Sequence, residues 1–345
     1  MWLIRPVRIA DLEAVTALAE ALGPGMTTLP ADRTAIAGKI EHSVATFAGA
    51  AQSADAQYLL VLEDQGSGNV LGTAAIYPSI GSPYGFFSYR ITRLVQHSQE
   101  LGLHLSTTVL HLANDYTGAT EVGTLAVHPR LRRSGAGRLL AKSRYVLMAT
   151  FPHLFSNQVI AEMRGIQTED GESPFWNALG RRFFQMDFAR ADKLSAVEGA
   201  AFIADLLPKQ PVYLDLLPAE ARAVVGKPHN ASAPAMAMLL AEGFRFEGLV
   251  DIFDAGPQLV AERTAIRTVT RCREVALAPS EALACQPPNA LIASTQLEAF
   301  GIAVAAGRCR DTAGDVEPAV LRALDLAQGD GAVLLELDEA EKPLA

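Results

Sequence analysis

Cysteine is scarce. Cys272, Cys285 and Cys309 are the whole complement, widely spaced and odd in number. No CxxC pair occurs, which argues against a disulfide framework or a cysteine-bound zinc. The thiols are expected to stay reduced, as in a cytoplasmic protein. The seven histidines contain no HExxH spacing, so no metal site is expected. No run of about 18 apolar residues exists, so no membrane helix is expected. The stretch Met1 to Val15 carries Arg5, Arg8, Asp11 and Glu13 among its apolar residues and has no signal-peptide core. Positive charge is in deficit: 29 Lys and Arg face 38 Asp and Glu, a net charge of -9. Nucleic acid is therefore not an expected partner. Neither common nucleotide loop, GxxxxGK[ST] or GxGxxG, is present.

What is present describes a folded α/β chain. Half of its 345 residues are hydrophobic and 19% are charged, and the length suits one large domain with a smaller one. Asp11 is a candidate N-cap for a helix with Leu12, Val15, Leu18, Ala19 and Leu22 on one face, closed by Gly23-Pro24-Gly25. A second helix is predicted from Asp32 to Phe47. Strands are predicted at Tyr58–Glu63, Val70–Tyr77, Thr120–Val127 and Gln158–Glu162, then near Phe244–Gly248 and Leu249–Phe253. Asp254-Ala255-Gly256-Pro257 reads as a boundary. The expected domains are 1–257, with mixed helical character over about 165–228, and a small β-rich domain at 258–345. Short β-prone runs there include Thr264–Val269, Ala290–Ser294, Gly301–Ala305 and Ala332–Leu337, with a helix at Ala319–Leu326.

An acidic protein that binds an anion must gather its positive charge locally. From Arg130 to Arg144 there are six basic residues and no acidic one. Within that run, Arg132-x-x-Gly135-x-Gly137 lies between a predicted strand and a helix starting near Arg138. Glycines permit a tight turn, and a helix start offers unpaired N–H groups to a pyrophosphate. The same hexapeptide also serves as an ordinary turn.

The order of elements and the Arg-x-x-Gly-x-Gly loop resemble the GNAT acyltransferase fold. So does Ala235-x-x-x-Leu239-x-x-x-Gly243-Phe244, a helix ending in Gly-Phe before strands. That resemblance implies a mixed, mostly antiparallel sheet flanked by helices, with 165–228 as an insertion. Five blocks narrow it: Gly25-Met26-Thr27-Thr28-Leu29-Pro30, Asn114-Asp115-Tyr116-Thr117-Gly118, Ala161-Glu162-Met163-Arg164-Gly165, Ser173-Pro174-Phe175-Trp176 and Arg182-Phe183-Phe184-x-Met186-Asp187-Phe188. They are similar to the arginine N-succinyltransferase family. The resemblance runs along the chain and is weakest after about residue 260.

It implies succinyl transfer from succinyl-CoA, a co-substrate rather than a resident cofactor, to the α-amino group of L-arginine. The family's catalytic histidine falls on His229, and its succinyl-CoA contact on Leu125. Arg132, Arg133, Gly135 and Gly137 would hold the donor's pyrophosphate. Whether His229 serves as acid, base or both stays open. The succinyl carboxylate needs a cation, for which Arg164, Arg181 and Arg182 are candidates. The guanidinium needs an acid, for which Glu162, Asp115 and Glu121 are candidates. Taken singly, each of these is read first as a surface ion pair.

His97, His104 and His111 recur every seven residues, a spacing that would suit one helix face but for the intervening Gly102, and are read as structural rather than as a ligand set. Phe175, Trp176, Phe183, Phe184 and Phe188 are read as core. Three other readings remain: one subunit of an arginine/ornithine heteromer, a non-catalytic acyl-CoA or arginine sensor, and an enzyme of this fold with another donor or amine. A homo-oligomer or a paralogous subunit is the expected protein partner.

Overall fold

The computed structural model describes residues 1–22, 28–50, 55–191, 194 and 206–343. Gly23-Pro24-Gly25, expected to end the first helix, lies outside them. In chain order the strands and main helices are β1 (Trp2–Pro6), α1 (Leu12–Leu22), α2 (Arg33–Phe47), β2 (Tyr58–Asp64), β3 (Asn69–Tyr77), β4 (Ser88–Ser98), β5 (Leu103–Ala113), β6 (Thr120–Val127), α3 (Ala136–Thr150), β7 (Gln158–Glu162), α4 (Pro174–Ala178), α5 (Gly180–Phe184), β8 (Val212–Tyr213), β9 (Arg245–Asp251), β10 (Pro257–Glu262), β11 (Arg273–Pro279), β12 (Ala290–Ser294), β13 (Ile302–Ala305), β14 (Gly307–Arg310), β15 (Ala313–Val316) and β16 (Gly331–Glu336). The chain forms two compact units, 1–78 with 122–157 and 262–345, and 79–121 with 158–261.

In the first unit the strands lie in the order β14-β15-β11-β16-β12-β13-β1-β2-β3-β6. Most neighbours run antiparallel, as β1 does with both β13 and β2, while β11 and β15 run parallel. Tyr58 to Leu62 of β2 are all buried, the continuous apolar run of a strand covered on both faces. Ile36 and Ile40 of α2 pack with Val15 and Ala19 of α1 over Leu59, Val61 and Ala75. Asp32 starts α2 by accepting from the Thr34 and Ala35 N–H groups at 2.9 and 3.1 Å, a cap worth about 1 kcal/mol. A second core gathers Leu277, Ile292, Val320 and Leu334.

In the second unit β7 runs parallel to the start of β6, through Thr120 and Glu121. The order continues β7-β10-β9-β4-β5-β8. Its core holds Tyr89, Leu110, Phe175, Trp176, Phe184, Phe188 and Val250. Trp176 stacks on Phe184 at 5.3 Å between ring centroids, so the aromatics around 175–188 are core, except that Phe183 is exposed.

Four local readings change. Asp11 does not cap α1. Its carboxylate turns back to the Arg8 N–H at 2.7 Å and grips both terminal nitrogens of Arg5, at 2.7 and 2.9 Å. Arg5 is only 5% exposed, and a buried guanidinium left unmatched costs more than a missing cap. Thr264–Val269 is not a strand: a turn leads into a helix, Arg267–Arg271. Helical spacing brings Arg267 and Arg271, four apart, onto the same Asp338 at 2.6 and 2.8 Å. Leu249–Phe253 is not a separate strand, because β9 continues through Gly248, at φ +80°, to Asp251. His97 and His104 share no helix face; they oppose each other across the β4–β5 hairpin.

Candidate active site

The first unit carries the glycine loop. Within β6, Thr124 takes a left-handed φ of +49°, a conformation that disrupts regular strand geometry beside Leu125. Thr73 Oγ1 donates to the Thr124 carbonyl at 3.2 Å, and the Tyr77 hydroxyl is hydrogen-bonded to Thr124 Oγ1 at 3.0 Å. Leu125 follows, half-buried. After Val127, His128 Nδ1 accepts from the Arg130 N–H at 3.2 Å and begins the turn Pro129–Leu131.

Arg133 and Gly135 are both left-handed, at φ +69° and +90°. Ser134 Oγ donates to the Leu131 carbonyl at 2.8 Å and accepts from the Ala136 N–H at 3.3 Å. Gly135 is the N-cap of α3 and has no side chain to answer the first turn's N–H groups. A Cβ there would be strained by φ and would stand 3.1 Å from the Pro343 Cα. Gly137 differs, since a Cβ on it would meet only Val127 at 3.5 Å. Only Gly135 is therefore demanded by the backbone.

The six basic residues between Arg130 and Arg144 divide. Arg130, Arg132 and Arg133 are exposed at the loop. Lys142 and Arg144 are each 3% exposed, because they lie on the packed side of α3. Lys142 bonds Glu341 and Thr268 Oγ1, both at 2.9 Å, and Arg144 turns to the Ala141 carbonyl at 3.2 Å. Arg138 donates to the Ala340 carbonyl. Burial pushes the Glu341 carboxyl up, but the Lys142 bond, the Asp338 N–H and the charges of Lys142 and Arg271 outweigh it and hold it below its usual value.

The second unit carries His229, half-buried at the start of a turn, Asn230–Ser232, that leads into the helix Ala233–Ala241. Its ring caps that turn: Nδ1 accepts from the Ala231 N–H at 3.1 Å. Its backbone N–H donates to the Arg164 carbonyl at 2.7 Å. Arg164 is half-buried, its Nη2 donates to Gln167 Oε1, and its buried Nε has no partner. Glu162 is exposed and accepts from Gln258 Nε2 at 2.8 Å, while Gln258 Oε1 accepts from Ser88 Oγ at 2.7 Å.

Beside these residues lie two carboxyls that the sequence reading passed over. Asp254 accepts from the Gly165 and Gly256 N–H groups at 2.7 and 2.8 Å. Asp251 accepts from the Phe253 and Asp254 N–H groups at 2.7 and 2.8 Å. Burial, then the charges of Asp254 and Glu162, push the Asp251 carboxyl well above its ordinary value. Burial also raises that of Asp254, against the pull of its two backbone donors. The turn-like composition of residues 254–257 concealed them; Asp251, two residues into an apolar stretch, was the available signal.

The structure thus joins His229, Arg164 and Glu162 in one neighbourhood. Asp115 is paired with Arg90, beside Tyr116, whose hydroxyl is pushed up to about 12 by burial and then by Glu247. Arg181 is exposed on α5, and Arg182 donates to the Ala178 carbonyl at 2.9 Å. Leu125, Arg132, Arg133, Gly135 and Gly137 belong to the first unit.

A family model described as "Arginine N-succinyltransferase beta subunit" matches residues 2–268. The chain is 40% identical over 342 residues to the "Arginine N-succinyltransferase" of Salmonella paratyphi B and to that of Salmonella typhimurium, covering 99% of this chain and 99% of each relative. Among solved structures it is similar to arginine/ornithine succinyltransferase subunit AI from Pseudomonas aeruginosa. The TM-score is 0.84 at 31% identity, over 98% of this chain and 99% of that one.

Proposed function

This chain belongs to the arginine N-succinyltransferase family, and on that premise we infer that it transfers a succinyl group from succinyl-CoA to the α-amino group of L-arginine. The products are N2-succinylarginine and free coenzyme A, in arginine breakdown. It is an acyltransferase of GNAT-type fold.

The observation that carries the chemistry is the His229 ring. Its Nδ1 accepts from a backbone N–H, so in the neutral ring the proton sits on Nε2. The free amine of arginine adds to the thioester carbonyl carbon, the carbonyl re-forms, and the C–S bond breaks with its electron pair on sulfur. The His229 Nε2–H donates a hydrogen bond to that sulfur as charge builds on it, and the surplus proton of the new amide nitrogen is carried through solvent to the thiolate, so the ring ends as it began. A placed hydrogen-bond donor to developing negative charge contributes about 10²–10³-fold.

Other roles follow residue by residue. The loop of Arg132, Arg133, Gly135 and Gly137 offers N–H groups and cations to the pyrophosphate. Leu125 offers its backbone to the acyl arm. Glu162, fixed by Gln258, faces the guanidinium, and Arg164, with its unanswered Nε, faces the succinyl carboxylate. Asp115 already answers Arg90 and Arg181 is exposed on α5, so they are the weaker two of the four. The three cysteines form no disulfide among the described residues, which suits a cytoplasmic enzyme. Among the described residues, no helix is long and apolar enough to cross a membrane.

The test is thiol release with succinyl-CoA and acetyl-CoA, each paired with arginine, ornithine and lysine. Turnover with succinyl-CoA and arginine, lost in His229→Ala, supports the reading. Silence across the matrix, with coenzyme A still bound, rejects it for the chain alone and points to a required second subunit or to a sensor. A second reading rests on the words "beta subunit" and "subunit AI" in the matched descriptions: this chain works with a paralogous partner. Mass measurement in solution together with full activity of the purified chain would reject it.

A further inference from the structure

Three stretches of the second unit meet at His229: residues 163–165, 226–229 and 254–257. The His229 N–H donates to the Arg164 carbonyl at 2.7 Å, and Gly165 bridges to Pro228. The Gly226 N–H donates to the Ala255 carbonyl at 2.9 Å, and the Met163 N–H to the Pro257 carbonyl at 3.1 Å. The contacts are backbone against backbone. A Cβ on Gly165 would stand 2.5 Å from the Asp254 carbonyl oxygen, and one on Gly256 would stand 2.0 Å from the Met163 carbonyl oxygen. Ala255 holds φ +56° with a side chain present, a strained geometry that persists only where its surroundings enforce it.

Asp254 ties this junction together with one side chain. It is 7% exposed. One oxygen takes the Gly165 N–H at 2.7 Å and the other the Gly256 N–H at 2.8 Å. We propose that Asp254 is a positioning residue for His229: by clamping Gly165 to the 254–256 turn, it fixes the Arg164 carbonyl on which the His229 backbone is hung. The carboxylate touches neither substrate nor the reacting ring. It acts at one remove, setting the point from which the imidazole reaches the leaving sulfur. Both oxygens must accept, so only a carboxylate serves. An asparagine would turn an NH₂ toward one of two N–H donors and release one side of the clamp. A ring displaced by about 1 Å costs on the order of 100-fold in rate.

This inference rests on the reading of His229 as the hydrogen-bond donor to the leaving sulfur, and a double-mutant cycle separates the two. The enzyme, Asp254→Asn, His229→Ala and the double variant are compared for kcat and for both KM values, with thermal melting to confirm folding. Asp254→Asn is expected to lower kcat about 10- to 100-fold with each KM within about threefold, and to add no loss to His229→Ala. Nitrogen NMR of labelled histidine should show the Nε2–H tautomer of His229 in the enzyme and a moved signal in Asp254→Asn. If Asp254→Asn does not fold, Asp254→Ser, which keeps one acceptor in less space, takes its place. Unchanged kcat, losses that add in full, or an unmoved signal overturn the Asp254 assignment alone. A His229→Ala enzyme at full rate overturns the reading of His229 and this inference with it.

Discussion

The backbone N–H of His229 and the carbonyl of Arg164 are joined by a 2.7 Å hydrogen bond. The bond is made by Arg164's main chain, so its side chain can be altered without cutting it. Arg164→Ala is expected to raise KM for succinyl-CoA about 10- to 100-fold, the usual value of a charge-assisted bond. Inhibition by free coenzyme A, which has no succinyl carboxylate, should be unchanged. Steady-state kinetics with coenzyme A as product inhibitor checks both.

Glu162 is held by Gln258, and Gln258 by Ser88. Glu162→Gln removes the charge offered to the guanidinium, and KM for arginine should rise about 10- to 100-fold with KM for succinyl-CoA unmoved. Gln258→Leu leaves the carboxylate but frees it to rotate, so the same KM should rise by less. Varying arginine at saturating donor measures both.

The two loop glycines should separate. Gly135→Ala forces a Cβ into φ +90°, costing about 1–2 kcal/mol, against Pro343 as neighbour. Gly137→Ala meets open space beyond Val127 and should cost little stability. Urea unfolding of the two variants gives the order.

Asp251 tests pH. Its carboxyl lies well above the ordinary 3.8 through burial and its acidic neighbours. A raised carboxyl favours folding below the unfolded value, and that stabilisation is lost as pH rises toward the folded value. Asn copies the neutral acid, keeping an acceptor for the two N–H groups. Asp251→Asn should therefore match the parent near pH 4 and exceed it in melting temperature increasingly toward pH 8.

Glu341 has the opposite sign. It lies below the usual 4.5 because Lys142, the Asp338 N–H and Arg271 outweigh its burial, so its contribution is full above 4.5 and fades on acidification. Glu341→Gln removes the anion that faces the buried Lys142 ammonium. A loss of about 3–5 kcal/mol at pH 7 should shrink as pH falls below 4.5. Urea midpoints at pH 7 and pH 4 make the comparison.

The parts legible in the sequence had strong local patterns. β6 and β7 match their predicted spans, and α2 (Arg33–Phe47) fills the helix predicted from Asp32 to Phe47, because apolar periodicity acts within a few residues. The β4–β5 hairpin was not foreseen: its outer half is exposed on both faces and lacks the alternation that betrays a strand. In the site, the loop was visible through its glycines and arginines. Lys142 and Arg144 misled because composition does not reveal which side of α3 packs. The Asp251–Asp254 pair was hidden because its partners, Gly165 and Glu162, are about 90 residues away in the chain.

Strand β1 has a consequence for how the chain is made. Leu3 pairs with Glu63 on one side and with Ala303 on the other. On a ribosome adding roughly 5–20 residues per second, the first neighbour emerges within seconds and the second tens of seconds later. During that wait the apolar Leu3-Ile4 stretch has one open edge, the kind of surface that recruits foreign strands. Yield in a cell should thus depend on how well nascent chains are shielded, and slowing translation should worsen aggregation rather than relieve it.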